Sequence, residues 1–362
     1  MRKNPTIRDV AAKAGVSIAT VSKFINGAQR FTPNVERNIQ AAIDELGYQS
    51  NPLARSMITG KTGSVGVAIL DICNPHFTNI VKGANRVALE QGYNLLFVDT
   101  EESQGREDEL LDALSRRVDG MVVSTRMPED QLHRILAYGK PVVFSGRPGP
   151  RGVPSIGIDA YAAAYMIAEM LVKQGHRNIA YLGFAPARPD KERMRGLTDC
   201  LDAYDIPLTR HEVRGPTMAE GERVCSSVLL RKSKPDAVIC YNDMVAIGFM
   251  GVAKSLGVSI PGDLSVVGID NIPFSRYTSP ALTTVDTQSE RLGEEGMRLL
   301  FRHIAGDLPA DVEHMTLEPR LVIRESTQLR VTLPTAPEGK PRRAKPTSAA
   351  ALASRQLTYR RI

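Results

Sequence analysis

Residues 6–27, TIRDVAAKAGVSIATVSKFING, hold two helix starts and two helix stops in quick succession. Thr6 and Asp9 stand at capping-box spacing, with Asp in place of the usual Glu or Gln, and Gly15 ends that helix. Ser17 can then cap a second helix running to about Ile25 and stopped by Asn26-Gly27. Thr32-Pro33 opens a third, whose Val35, Ile39, Ile43 and Leu46 recur at helical spacing before Gly47. The result is a compact unit of three short helices, the second made mostly of small residues with one lysine.

A helix, a tight turn and a small-residue helix make a helix-turn-helix, whose second helix lies in the major groove of DNA. On that reading Ile18 and Ala19, just after the cap, face base edges, and Lys23 one turn on reaches a guanine or a phosphate. Thr20 and Ser22 bond phosphates, while Val16, Val21 and Ile25 pack inside the unit. The alternative is a plain helical bundle with a solvated lysine, and the helix pattern alone does not separate the two.

The chain has 362 residues, more than one hydrophobic core usually organises, so two or three domains are expected. At 42% hydrophobic and 24% charged it has the composition of a folded protein. Its net charge of +6 is unevenly placed: residues 1–62 carry nine Lys/Arg against four acids, residues 331–362 carry seven against one, and the middle is net acidic. Attraction to a polyanion is therefore confined to the ends. The four cysteines (Cys73, Cys200, Cys225, Cys240) lack metal or redox spacing, which suits a reducing compartment. With no signal-like apolar segment and no long apolar run, a cytoplasmic protein without membrane contact is expected.

From Ser64 the pattern changes. Apolar runs such as SVGVAIL, YNLLFVD, DGMVVS and PVVFS alternate with helical patterns, and the alternation restarts with NIAYLGF, PDAVICYND and LSVVGID. Strand and helix taking turns implies parallel sheets with helices on both faces, in two successive sets that suggest two similar lobes. Sites in such sheets lie at the carboxyl ends of strands. After Arg330 the Pro-, Ala- and Arg-rich segment 331–362 reads as a disordered basic tail. Leu352 and Leu357 there form no sustained heptad.

TIRDVAAKAGVSIATVSKFING and ELGYQSNPLARSM resemble the head and hinge of lactose-repressor-type (LacI/GalR family) transcription regulators. The resemblance continues through NPHF, IGIDAYAAA, GHRNIAYLG, RMRGL, YNDMVAIG, LSVVGIDN, SPALTTV and LVIREST, covering about residues 5–328. It implies a small all-α helix-turn-helix head on an α/β two-lobed core like that of periplasmic binding proteins. The corresponding division is head 1–48, hinge 49–62, effector-binding and dimerisation domain 63–330, and tail 331–362. Lobe 1 would take about 63–158 and 289–319, and lobe 2 about 159–288 and 320–330.

The resemblance also implies partners: pseudo-palindromic duplex operator DNA read by a homodimer, and a small, carbohydrate-derived effector. Thr6, Ser17, Ile18, Ala19, Thr20, Ser22, Lys23 and Asn26 would serve the DNA contact. In the hinge, Met57 stands where the family usually has a leucine wedge for the minor groove, Ala54 permits close approach of two hinge helices, and Arg55 contacts the backbone. Pro52 falls one or two residues later than the family's proline.

Effector contacts carried over from the family fall on His76, Phe77, Gly146, Arg147, Arg193, Asn242 and Asp270. Each has a structural alternative. His76 could be a surface-loop residue and Phe77 core; Arg147 could pair with an acid; Asp270 could merely begin a turn. Asn242 or Asp243 could cap a helix starting at Met244, and capping is the expected role of Asp243. Many sugar-binding members have an acid after the fourth strand, where this chain has Ser145-Gly146. Arg147 and Arg193 together suit an anionic ligand such as a sugar acid or a phosphate ester.

Enzyme chemistry is not expected. The chain has no G-x-S-x-G and no metal-ligand spacing, and the TGKT at 59–62 lacks the first glycine of a phosphate loop, Arg55 standing there. His176, at a helix-to-strand turn, is expected to be structural. No cofactor and no metal is expected. A periplasmic solute binder would share the lobes but not the basic helical head.

Overall fold

A computed structural model describes residues 5–25, 29–48, 60–308, 314–330 and 360–361. The chain divides into two units, Met1–Gly63 and Ser64–Ile362. The hinge residues Ala54, Arg55 and Met57, together with Pro52, Asn26 and nearly all of the tail, lie outside the described residues.

The first unit is three helices: α1 (Ile7–Ala14), α2 (Ile18–Ile25) and α3 (Pro33–Leu46). Local chemistry sets their ends. The Asp9 carboxylate accepts from the Thr6 backbone N–H and hydroxyl, both at 2.7 Å, and Gly15 (φ 69°) and Gly47 (φ 63°) close α1 and α3 in the left-handed conformation. Ser17 Oγ accepts from the Thr20 N–H at 3.1 Å and starts α2. Val10, Val21 and Ile39 are fully buried where the three helices meet, with Val16, Phe24 and Ile25 packed against them.

In the second unit a six-stranded sheet has the order β11-β5-β4-β3-β1-β2, from β1 (Ser64–Ile69), β2 (Asn94–Asp99), β3 (Met121–Val123), β4 (Val142–Ser145), β5 (Ser155–Ile158) and β11 (His314–Leu317). A four-stranded sheet has the order β7-β6-β8-β9, from β6 (Ile179–Gly183), β7 (Leu208–Glu212), β8 (Ala237–Cys240) and β9 (Ser265–Val267). Every pairing in these two sheets is parallel. The exception to the expected parallel pattern is β10 (Thr284–Asp286), antiparallel to β12 (Arg320–Ile323) in the segments that cross between the sheets. Of the tail, which was expected to be disordered, Arg360–Arg361 is described as a two-residue strand, β13, beside β12.

The larger sheet is flanked by α4 (Pro75–Glu90), α5 (Gln104–Ser115), α6 (His133–Leu136) and α11 (Ser289–Ala305), and the smaller by α7 (Ala160–Lys173), α8 (Arg188–Asp202), α9 (Met218–Leu229) and α10 (Asp243–Ser255). Each sheet has apolar clusters on both faces, so its strands read as nearly unbroken hydrophobic runs. The α4–α11 crossing depends on glycine. A Cβ on Gly83 would lie 1.9 Å from the Glu290 carbonyl oxygen, and one on Gly293 would lie 2.0 Å from that of Ile80. Among the described residues, no helix is long and apolar enough to cross a membrane.

Candidate functional site

The carboxyl ends of the parallel strands face a common cleft of about 800 Å³, and all seven expected effector residues line it. His76 and Phe77 come from the first turn of α4, where Asn74 caps the helix by accepting from the His76 N–H at 3.0 Å. Gly146 and Arg147 follow β4, Arg193 is on α8, Asn242 follows β8, and Asp270 follows β9. This is the place where an open parallel sheet leaves backbone and side chains free to meet a ligand.

Their environments differ. His76 Nδ1 lies 2.8 Å from Ser289 Oγ, 3.4 Å from Thr287 Oγ1 and 3.6 Å from Asp270 Oδ1. Burial, reinforced by Arg193 and Arg126, pushes its pKa down to about 3, so the ring is neutral at physiological pH. Asp270 is 8% exposed, and burial raises its carboxyl to about 7 against the pull of Arg193. Its backbone has φ 119°, a conformation that costs a non-glycine residue energy, and its N–H donates to the Val285 carbonyl at 2.9 Å. Strain at a cleft-lining acid is typical of a position fixed for function.

Phe77 belongs to the apolar core beside α4 and also lines the cleft, where it meets the His76 ring edge-on at 5.0 Å. Asn242 is the helix cap, its Oδ1 accepting from Val245 N–H at 2.9 Å and its Nδ2 donating to the Pro216 carbonyl at 3.0 Å. Its amide is therefore largely engaged by the protein.

Asp243 corrects the expectation set for it. Helix α10 begins at Asp243 and its cap is Asn242. The Asp243 carboxylate points into the fold and accepts from the Ile272 N–H at 2.9 Å, the Ser275 hydroxyl at 2.5 Å and the Thr284 hydroxyl at 2.5 Å. It thus ties together the ends of β8, β9 and β10, which a capping role would not do.

Arg147 and Arg193 are 6% and 5% exposed. Each spends Nη1 on a backbone carbonyl, Arg147 on Met127 and Arg193 on Tyr241, both at 2.5 Å. Neither Nε has a partner, and among the described residues no carboxylate lies within ion-pair distance of either guanidinium, so the acid pairing considered for Arg147 does not occur. Arg193 also lies over the Tyr241 ring, 4.6 Å from its centroid.

Two cleft residues escaped the sequence reading. Arg126 follows β3 and pairs bidentately with Glu102 at 2.7 and 2.8 Å, its guanidinium 5.6 Å from the Phe184 ring centroid. Tyr241 follows β8 and stacks edge-on against Phe184. The rule that sites lie at strand ends points to Ser124-Thr125-Arg126 as directly as to Ser145-Gly146-Arg147. At the rim, Arg188 and Glu129 form an exposed ion pair at 2.8 Å. His176, expected to be structural, is fully buried against Asp236 at 3.1 Å. Among the described residues, no group of three or more His, Cys, Asp or Glu is placed to hold a metal ion.

In the head, Thr6, Ser17, Ile18, Ala19 and Lys23 are exposed, Ile18 at 45%, while Thr20 and Ser22 are partly covered. The hydroxyls of Ser17 and Thr20 meet at 2.8 Å, and Lys23 Nζ reaches Gln29 Oε1 at 3.2 Å.

Residues 6–51 match the lacI family of bacterial regulatory proteins, and residues 168–327 match the periplasmic binding protein-like domain. Catabolite control protein A of Priestia megaterium is 30% identical over 332 residues, covering 90% of this chain and all of that protein. The chain belongs to the LacI family. Another LacI-family relative, the HTH-type transcriptional repressor PurR of Yersinia pestis bv. Antiqua (strain Antiqua), is 33% identical over 330 residues, covering 89% of this chain and 96% of that one. A lac repressor dimer solved with operator and the anti-inducer ONPF matches with a TM-score of 0.82 at 25% identity, covering 90% of this chain and 100% of that one. These LacI-family relatives are transcription regulators, not enzymes, and the architecture is that of the lac repressor: a helix-turn-helix head and a two-lobed core of parallel sheets.

Proposed function

We propose that this protein is a transcriptional repressor whose affinity for a pseudo-palindromic operator is set by a small polar effector, a sugar, sugar acid or sugar phosphate, held in the cleft. The observation that carries the reading is the convergence of His76, Phe77, Gly146, Arg147, Arg193, Asn242 and Asp270 on one cavity, in a chain that also has an exposed helix-turn-helix surface. The head, residues 1–48, reads the major groove through Ile18, Ala19 and Lys23, with Thr6, Ser17, Thr20, Ser22 and Asn26 on the backbone. Residues 49–62 form the hinge, with Met57 as minor-groove wedge beside Ala54 and Arg55. The body, 63–330, pairs two subunits and binds the effector, and its work on operator DNA places it in the cytoplasm.

Control follows from linkage. An effector shifts the operator equilibrium only by its differential affinity for the two arrangements of the lobes. Asp270 accepts hydroxyl hydrogen bonds, Phe77 covers an apolar ring face, and His76, neutral, serves as donor or acceptor. Two half-sites require two heads, which is the reason for a homodimer.

The test is selection of duplex DNA from a random pool by the full chain, followed by anisotropy titration at several salt concentrations. A palindromic consensus should emerge, with log affinity falling steeply against log salt, and Lys23→Ala should reduce that slope by about one for each phosphate that Lys23 neutralises. Failure to enrich any duplex, or an affinity indifferent to salt, refutes the reading.

A further inference from the structure

Resting on the effector reading above, we propose that the effector carries an anionic group, a carboxylate or phosphate, anchored by the guanidinium of Arg147, with that of Arg193 as a second cationic contact. A neutral sugar does not complete this site.

What Arg147 lacks is a counter-charge. Buried charges are paired or hydrogen-bonded because an uncompensated one is strongly destabilising. Arg126 obeys this rule through its two bonds to Glu102. Arg147 does not. It is as deeply buried, no described carboxylate lies within ion-pair distance, and its nearest charged company includes Arg188 and Arg126 as well as Glu129 and Glu107. Glu129 is already engaged by Arg188 at 2.8 Å.

The orientation of the fork points the same way. In both Arg147 and Arg193 the bonded atom is Nη1, leaving the Nε–Nη2 edge, and both Nε atoms are buried without a partner. A guanidinium with donors left over in this way takes the oxygens of a carboxylate or phosphate that reaches it. The two side chains stand on different lobes' elements, Arg147 after β4 and Arg193 on α8, and both line the cleft. The hydroxyls of Ser124 and Ser145 line it as well and can donate to the same anion. Of the acids lining the cleft, Asp159 caps α7, Asp199 accepts from the Tyr161 hydroxyl and Glu192 pairs with Arg195, which leaves Asp270 as the buried acid facing a ligand. One buried acid and two buried arginines without a carboxylate partner describe a ligand with some hydroxyls and at least one anionic end.

The experiment uses the full chain and two kinds of probe: inorganic phosphate, and matched pairs of aldonates, uronates and hexose phosphates with their neutral parent aldoses. Melting temperature and titration calorimetry are read at constant ionic strength. Ligands that bind only the folded state raise the melting temperature by mass action. Phosphate should stabilise the wild type more than sulfate-free chloride of equal ionic strength, and that difference should vanish in Arg147→Gln and shrink in Arg193→Gln. In any pair that binds, the anion should be tighter by about 100-fold, in line with a bidentate charge-assisted contact. Arg147→Lys, which keeps the charge and loses the fork, should fall between wild type and Arg147→Gln, and far-ultraviolet circular dichroism confirms that each variant folds.

A neutral aldose binding as tightly as its anion, or a phosphate effect that survives Arg147→Gln and Arg193→Gln together, overturns the inference. If that neutral aldose also changes operator affinity, effector control stands while the anionic class falls. If neither series nor phosphate alters melting temperature or operator affinity, both fall.

Discussion

Asp243 and Asp270 end neighbouring segments of the same lobe, are nearly or fully buried, and have carboxyl groups raised by burial to about 7. Their surroundings are opposite. Asp243 is fully buried and accepts from one backbone N–H and two hydroxyls, so its carboxylate is turned to the protein. Asp270 lines the cleft, 3.6 Å from Nδ1 of the neutral His76 ring, with Arg193 as the cation acting on it. Burial and a raised pKa therefore do not distinguish a binding acid from a structural one. Hydrogen-bond capacity left unspent does.

The contrast breaks if the two acids respond alike to substitution. Asp243→Ala should have the largest effect, since it leaves an N–H and two hydroxyls buried without an acceptor. Stability should fall by about 3–5 kcal/mol, read as the denaturant midpoint of the body. Gly268→Ala should cost about 2 kcal/mol by the same assay, because the new Cβ would lie 2.1 Å from Asp243 Oδ1 and the held carboxylate has little room to yield.

The Asp270 prediction is a difference between pH values. An acid whose folded pKa is raised, here from 3.8 to about 7, contributes stability below its unfolded value and loses it as pH rises through the folded value. His76, lowered to about 3, works in the opposite direction below about 6.5, so the absolute profile mixes both. Comparison with Asp270→Asn removes the shared terms. The variant should gain on the wild type by about 2 kcal/mol between pH 5.5 and pH 8, as the wild type takes on a buried charge. A constant offset between those pH values would contradict the assignment. Ser275→Ala should be the mildest of the four, about 1 kcal/mol, since Asp243 keeps two of its three donors.

How much of this is legible in the sequence depends on the range of the interactions. The head is legible because Thr6, Asp9, Gly15, Ser17, Pro33 and Gly47 act on backbone within a few residues of themselves. The alternating body is legible for the same reason. In the cleft, single residues at strand ends can be singled out, but their partners cannot. Arg126 finds Glu102 across 24 residues, and Asp243 finds Thr284 across 41. Asp243 reads as a cap because Asn-Asp before a helix offers two capping side chains, and nothing local says which one turns inward. That Arg147 lacks an acid is likewise invisible, because it depends on every element that packs around it.

The central claim is that occupancy of the cleft changes operator affinity, and the direct measurement is the operator Kd with and without the tightest ligand from the matched pairs, in wild type and Asp270→Asn. The wild type should change by about 5- to 150-fold, the usual size of allosteric coupling, and the variant should give a ratio close to one at the same ligand concentration. An operator Kd that does not respond to a ligand shown to bind, or that responds equally in Asp270→Asn and Arg193→Ala, would contradict it.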